Sequence, residues 1–483
     1  MTLQISWALL LPALIPVAAM LLVLVVDAVV PRASLAAPVI GALGLLGGAV
    51  AAVPGLDAGD PRLTLCTPAP DGRCMWDGSP LASTLQIAAL LATLGVLALM
   101  SWRKAGVVDV VMLLASASGA VAVVAATDLG TWLIALELAT LPVIALVAWR
   151  DRRAAAHGAL TLLTTSLVSF GLLVLGAALW VTATGDPTLT GPSLATAWAV
   201  PEQRVLASLA TVVLIAGLAF KISAVPFHAW TPTTLTSGPL PISALLASAS
   251  KIAAVGALLV VLAPYESVLD LSPGPHTVVA ALVIVTVASM LTGTVMALRQ
   301  TEVVRLLAWS TIAQAGWVLL PLTALSVAGR QAAAIYVLVY AVASLVAFAA
   351  VRAIHGQHVE DGRELTAYKG LLRRDPIAGG TLAVALLVLA GLPPGIIGLV
   401  AKVMTIRPVV DAGLWPVAVV AVVAAVLGIA VYVRWFAVMF GDPDASAPKR
   451  PGRRRASVAV AVAGTAVLVV TSVLPQVLLG LVS

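Results

Sequence analysis

The chain has 483 residues, 61% of them hydrophobic and only 10% charged, with a mean hydropathy of +1.10. So few polar groups cannot cover a water-facing surface, which excludes a soluble globular protein. The net charge of +6 does not indicate nucleic acid, because the basic residues are scattered between apolar stretches and form no single basic face.

A membrane span needs about 20 mainly apolar residues. Such runs follow one another near 5–30, 34–54, 80–102, 107–126, 129–149, 156–183, 205–228, 240–262, 277–298, 303–327, 331–354, 377–408, 413–440 and 457–481. Barrel strands would alternate apolar and polar residues, whereas runs such as Leu9 to Val26 are apolar almost without a break. The expected fold is therefore an all-α membrane protein of about fourteen transmembrane helices. The first run lacks a preceding basic residue and is too long for a signal-peptide core, so it is expected to be a retained helix. Cys66 and Cys74 share one polar loop. They are too few for an iron–sulfur cluster and lack zinc-site spacing, which leaves a loop disulfide or two free thiols.

Basic residues are distributed unevenly between the two sets of loops. With the N-terminus outside, the cytoplasmic loops carry nineteen of them, from Arg32 to Arg455, and the other side carries Arg62, Arg73, Arg204, Arg330 and Arg407. The asymmetry predicts that both termini lie outside the cytoplasm. Two stretches of about five spans each, 107–262 and 277–440, both hold a proline-interrupted helix carrying a lysine. This points to inverted repeats with a site at their midplane, flanked by a three-helix segment at 1–106 and a last loop and helix at 441–483.

Three basic residues, Lys221, Lys251 and Lys402, fall within apolar helices. Each lysine costs about 2.5–3.5 kcal/mol at the centre of a lipid-embedded helix. Snorkelling to an interface would relieve that cost without any function; otherwise the lysines carry charge. Glu137, in Trp132-Leu-Ile-Ala-Leu-Glu-Leu-Ala-Thr-Leu-Pro142, is the one acidic residue expected mid-span, and it is the natural partner of a lysine. Moving a carboxylate toward or away from a desolvated lysine changes its hold on a proton, which is the elementary step of a pump. Pro226, five residues after Lys221, loosens the helix just beyond it. His228 either passes protons between Lys221 and Lys251 or is a structural histidine near the surface. Gly391-Leu-Pro-Pro-Gly395 and Gly398 repeat the helix-breaking device ahead of Lys402, a candidate exit from the relay. Thr311, Gln314 and the Trp309-Ser310 pair either hydrate the path or let helices pack closely. Asp27 and Asp109 lie near helix ends and are expected to be solvated. No glycine-rich phosphate loop, metal-ligand cluster or nucleophile constellation is evident.

The sequence blocks Phe220-Lys-Ile-Ser-Ala-Val-Pro-Phe-His-Ala-Trp-Thr-Pro232, Ala249-Ser-Lys251, Leu307-Ala-Trp-Ser-Thr-Ile-Ala-Gln-Ala-Gly316 and Ala390-Gly-Leu-Pro-Pro-Gly-Ile-Ile-Gly-Leu-Val-Ala-Lys402, with the glutamate helix at 131–142, occur in an order similar to one family. Together they resemble the proton-pumping subunits shared by respiratory complex I (NADH-quinone oxidoreductase) and the multisubunit cation/proton antiporters. The lysine at 402 and the length without a long C-terminal lateral helix resemble the N-type branch. The resemblance implies fourteen helices with two inverted five-helix repeats and a coupling pair of Glu137 and Lys221. It further implies a connecting Lys251 and a terminal carrier Lys402 in a bacterial inner membrane. It implies no cofactor in this chain. NAD, FMN, iron–sulfur clusters and quinone would belong to partner subunits, namely M-like, K-like and J-like membrane subunits and a peripheral arm. The pattern departs from the family at Gln314, a histidine in some members, and in the loop after Trp230, which lacks acidic residues.

Overall fold

The computed structural model describes residues 4–30, 35–57, 62–68, 72–100, 106–148, 153–355, 364–442 and 455–481. Ten of the nineteen loop cations counted above, Arg103, Arg150 and Arg450 among them, lie outside the described residues. The chain opens with α1 (Trp7–Val29), α2 (Ala36–Ala52) and α3 (Pro80–Leu99). Between α2 and α3 an antiparallel hairpin pairs β1 (Leu63–Cys66) with β2 (Cys74–Asp77), and Cys66 is disulfide-bonded to Cys74. There follow α4 (Val107–Val123), α5 (Leu129–Ala148), α6 (Arg153–Thr184), a short α7 (Gly191–Trp198) and α8 (Pro201–Ile222). The eighth helix ends early, and α9 (Trp230–Ser237), α10 (Leu240–Ala247) and α11 (Ala249–Leu262) follow as shorter pieces.

The second half holds α12 (His276–Leu298), α13 (Val303–Leu319), α14 (Val327–His355), a one-turn α15 (Leu371–Arg374), α16 (Pro376–Ala390), α17 (Ile396–Asp411) and α18 (Trp415–Val438). It closes with α19 (Arg455–Val473) and α20 (Pro475–Leu479). Among the described residues, twelve helical stretches are long and apolar enough to cross a membrane, and α4 and α16 are shorter apolar helices. Each of the apolar runs read from the sequence coincides with one helix or with a broken pair. The hairpin and α7 lie outside those runs.

The outer surface is as apolar as the inside. Ile134, Leu160, Val419 and Val426 each expose more than half of their surface, an arrangement stable only against lipid. With no hydrophobic drive between helices in lipid, close packing and hydrogen bonds hold them together. A Cβ on Gly119 of α4 would strike the backbone nitrogen of Ala139 on α5 at 2.3 Å, and Ser116 Oγ donates to the Ala139 carbonyl at 2.8 Å. On the next pair, Gly217 of α8 nests against Leu173 of α6 while Ser169 Oγ donates to the Gly217 carbonyl at 2.8 Å. These contacts hold α5 against α4 and α8 against α6, and α5, α6 and α8 carry site residues.

Apart from the buried Lys221–Glu137 pair, the described ion pairs lie toward the ends of the bundle. Arg73 meets Asp186 (3.4 Å) and Arg330 meets Glu266 (2.5 Å) at the hairpin end. At the other end Arg373 meets Asp442 (3.1 Å), and Arg434 donates to the carbonyls of Leu298 and Gln300. Asp27 is exposed as expected, but Asp109 is not solvated. It is 6% exposed, with Oδ2 accepting from the Gly106 amide (2.9 Å) in the first turn of α4. The orphan amides of a helix start attract a carboxylate even where water is excluded.

Candidate functional site

Lys221 and Glu137 meet. The ammonium of Lys221 donates to Glu137 Oε1 at 2.7 Å, to Thr140 Oγ1 at 3.0 Å and to Ser166 Oγ at 3.0 Å. Its three donors thus reach α5, twice, and α6, and the lysine is only 8% exposed. A buried cation with all three protons used is held in place; it does not snorkel.

Two residues further on, the helix stops. Ser223 has φ +72°, the left-handed conformation that ends helices, and the amide of Ala224 closes back on the Ala219 carbonyl at 2.8 Å. The break therefore precedes Pro226, to which the sequence alone attributed it. Termination leaves carbonyls without helical partners. Trp230 Nε1 donates to that of Phe220 (2.9 Å), and Lys251 donates to that of Lys221 (2.9 Å) and to Ser223 Oγ (2.5 Å). The Lys251 ammonium also lies 5.0 Å from the centroid of the Trp230 ring. Lys251 itself sits in the first turn of α11, because Ser248 (φ −126°, ψ −90°) interrupts what reads as one continuous helix.

Lys402 repeats the arrangement in the second half. The helix before it ends at Ala390, with Gly391 at φ +78°. Lys402 donates to the carbonyls of Leu389 (3.0 Å) and Ala390 (2.8 Å) and lies 5.1 Å from the Trp317 ring. Both lysines place a cation at the negative end of a broken helix and over the face of an indole. Gly398 has a different part from the one read in the sequence. It lies inside α17, where a Cβ would come 1.9 Å from the Val388 carbonyl oxygen, so it sets the close approach of α17 to α16.

His228 forms no hydrogen bond with Lys221 or Lys251 among the described residues; its ring lies 5.5 Å from that of Trp309 on α13. From that helix a buried polar cluster extends. Ser310 Oγ lies 2.6 Å from Tyr432 OH, Gln314 Nε2 donates to Tyr432 OH (2.8 Å), and Tyr336 OH donates to Gln314 Oε1 (2.5 Å). Tyr340 OH donates to Thr311 Oγ1 at 3.1 Å. Tyr336 stacks on Trp317 with centroids 6.0 Å apart, and Trp317 in turn underlies Lys402. Sequence reasoning named Ser310, Thr311 and Gln314 but missed the tyrosines, Trp317, Thr140 and Ser166. No group of three or more His, Cys, Asp or Glu residues placed to hold a metal occurs among the described residues.

A bundle of apolar-faced helices with buried lysines on broken segments defines a polytopic, antiporter-like membrane protein. The family model described as NADH:quinone oxidoreductase/Mrp antiporter, TM, matches residues 126–428, and the chain belongs to that family. It is 39% identical over 464 residues to NADH-quinone oxidoreductase subunit N of Salinispora tropica, covering 92% of this chain and 87% of that one. A chain of respiratory complex I from Thermus thermophilus with bound aureothin superposes with a TM-score of 0.80 at 29% identity, over 97% of this chain and 98% of that one. A chain of the Mrp complex from a Dietzia species reaches a TM-score of 0.82 at 21% identity, over 99% and 96%. That last likeness shows the fold alone.

Proposed function

We propose that this chain is the N-type proton-translocating membrane subunit of an NADH-quinone oxidoreductase. It carries no redox centre of its own and works with M-like, K-like and J-like membrane subunits and a peripheral arm that holds FMN and iron–sulfur clusters and passes electrons from NADH to quinone. The observation that carries the reading is the buried Glu137–Lys221 contact at 2.7 Å, two residues from a helix break that Lys251 caps. Lengthening the Glu137–Lys221 contact changes the hold of Lys221 on its proton. A released proton then has the Lys251 site within the same break, and His228, Ser310, Gln314 and the tyrosines stand between that site and Lys402. Redox work in the partners supplies the displacement, and this chain supplies the charged groups that respond.

The matched carbonyl caps and indole rings of Lys251 and Lys402 support two inverted repeats at 107–262 and 277–440. The bonded Cys66–Cys74 pair supports placing the hairpin end outside the cytoplasm, where disulfides persist. That orientation puts both termini outside in a bacterial inner membrane.

Lys221→Ala in the assembled complex tests the reading. Proton transfer per NADH oxidised, measured by pH-sensitive dye in sealed vesicles, is expected to fall at least severalfold. Unchanged stoichiometry would reduce the lysines to structural roles. The second reading, a subunit of a cation/proton antiporter without redox partner, is supported by the family description, which names the Mrp antiporter beside the oxidoreductase. Native purification separates the two, since recovery of NADH dehydrogenase subunits supports the first and recovery of small membrane subunits alone supports the second.

A further inference from the structure

No carboxylate pairs with Lys402 among the described residues. The lysine is 5% exposed, and its ammonium meets the Leu389 and Ala390 carbonyls and the face of Trp317. A carbonyl accepts from an ammonium and also from a neutral amine, whereas the negative face of an indole attracts only the cation. The Trp317 contact is therefore specific to the charged form of Lys402. Trp317 is itself buried on α13, where Ser310, Gln314 and Trp317 fall at helical spacing on one face. Along that face Tyr432 OH lies against Ser310 and accepts from Gln314, Tyr336 OH donates to Gln314, and the Tyr336 ring stacks on Trp317 with planes 16° apart. Trp230, the indole beside Lys251, is tied to the backbone through its Nε1 bond to the Phe220 carbonyl. Trp317 is braced by a ring whose hydroxyl belongs to the polar cluster.

We infer that Trp317 is a positioning residue for Lys402: its indole does for that lysine what Glu137 does for Lys221, and Tyr336 links it to the Gln314–Tyr432 cluster. The assignment rests on Lys402 being the terminal carrier of the proposed route. Rearrangement of the cluster displaces Tyr336 and with it the indole, and Lys402 then loses a contact that only its charged form makes. A desolvated cation over an indole face is favoured by roughly thirtyfold, enough to switch the lysine between holding and passing its proton. No charged group has to cross between the cluster and Lys402 for the signal to arrive, since the stacked rings carry it as a displacement.

The test is Trp317→tetrafluorotryptophan, introduced by nonsense suppression, which keeps the outline of the indole and removes the negative charge from its face. In the purified full chain it is expected to lower the melting temperature by about 2–4 °C and to leave it unchanged in a Lys402→Met background. Equal shifts in the two backgrounds would show that ring and lysine are not coupled and would overturn the inference. In the assembled complex, proton transfer per NADH oxidised is expected to fall about threefold or more with the fluorinated ring and with Trp317→Leu, and to stay within about twofold with Trp317→Phe, which keeps a π-face. A merely structural role predicts the reverse order, because the fluorinated ring has the native shape and phenylalanine does not, and that order also overturns the inference. Coupled melting with proton transfer unmoved overturns it where Lys221→Ala lowers transfer, and overturns the proposed function where Lys221→Ala does not.

Discussion

Lys221 shows how a membrane protein keeps a cation where lipid would expel it. Every ammonium proton has an acceptor, and only one of the three is charged. Losing either partner of a buried ion pair strands the other, at a cost of roughly 3–5 kcal/mol, while losing both costs far less. Glu137→Gln and Lys221→Met are therefore each expected to lower unfolding stability in detergent by about that amount, with the double variant recovering a large share. Strict additivity of the three measurements would show that the pair is not energetically coupled. The pair was legible in the sequence because a carboxylate and a lysine in apolar helices have few ways to be tolerated. Thr140 and Ser166 were not legible, since small hydroxyls in apolar helices ordinarily satisfy their own preceding carbonyls, as Thr140 also does toward Leu136 at 2.8 Å.

At the scale of elements the breaks matter more than the helices. Gly391 ends α16 in the left-handed conformation, and a Cβ there would lie 3.3 Å from Lys402 Cδ and 3.5 Å from its Nζ. Gly391→Ala is expected to cost about 1–2 kcal/mol of stability from the backbone alone and to displace the Lys402 ammonium, lowering proton transfer without removing a titrating group. Gly380→Ala on the same helix meets nothing within 4 Å and serves as the control for both measurements. The Gly-Leu-Pro-Pro-Gly run announced this break because glycine and proline carry explicit backbone preferences. The break at Ser248 stayed hidden, as did the true end of α8 at Ser223. Serine occurs freely within apolar helices; the hydroxyl of Ser223 is met by Lys251 from a separate helix, while the hydrogen bonds of Ser248 stay local, its hydroxyl donating to the Ala244 carbonyl. The tyrosines of α14 and α18 escaped for a related reason. In a hydropathy reading they count as apolar, and only their placement against Gln314 and Ser310 turns their hydroxyls into a connected set.

For the molecule as a whole, the apolar runs foretold the helices almost one for one, since a chain in lipid has no other means of satisfying its backbone. The packing between runs, and hence the polar cluster, had no such signature. The hairpin end adds a constraint outside the lipid. Arg73, next to Cys74, reaches Asp186 in the loop after α6. Burial by itself would raise the Asp186 carboxyl, but hydrogen bonds from Ser193 and Thr188 together with the Arg73 charge outweigh it and hold the group below its ordinary range. A lowered folded value means that the carboxylate stabilises the fold above its unfolded value of about 3.8 and that this contribution is lost as pH falls through the folded value. Asp186→Asn is expected to lower the melting temperature at neutral pH, with the gap to the unsubstituted protein closing below about pH 4. A gap constant from pH 7 to pH 2 would assign the loop's stability to something other than this charge.

Residue 221 takes part twice, offering its side chain to Glu137 and its main-chain oxygen to Lys251. Replacing the side chain erases the first link and spares the second, because every amino acid brings the same peptide oxygen. The two contacts are thus genetically separable. On the proposed route, alleles at 221 silence only the acidic end, whereas the onward end yields to changes at 251, at Ser223, whose hydroxyl Lys251 also engages, or in the course of the polypeptide beneath it.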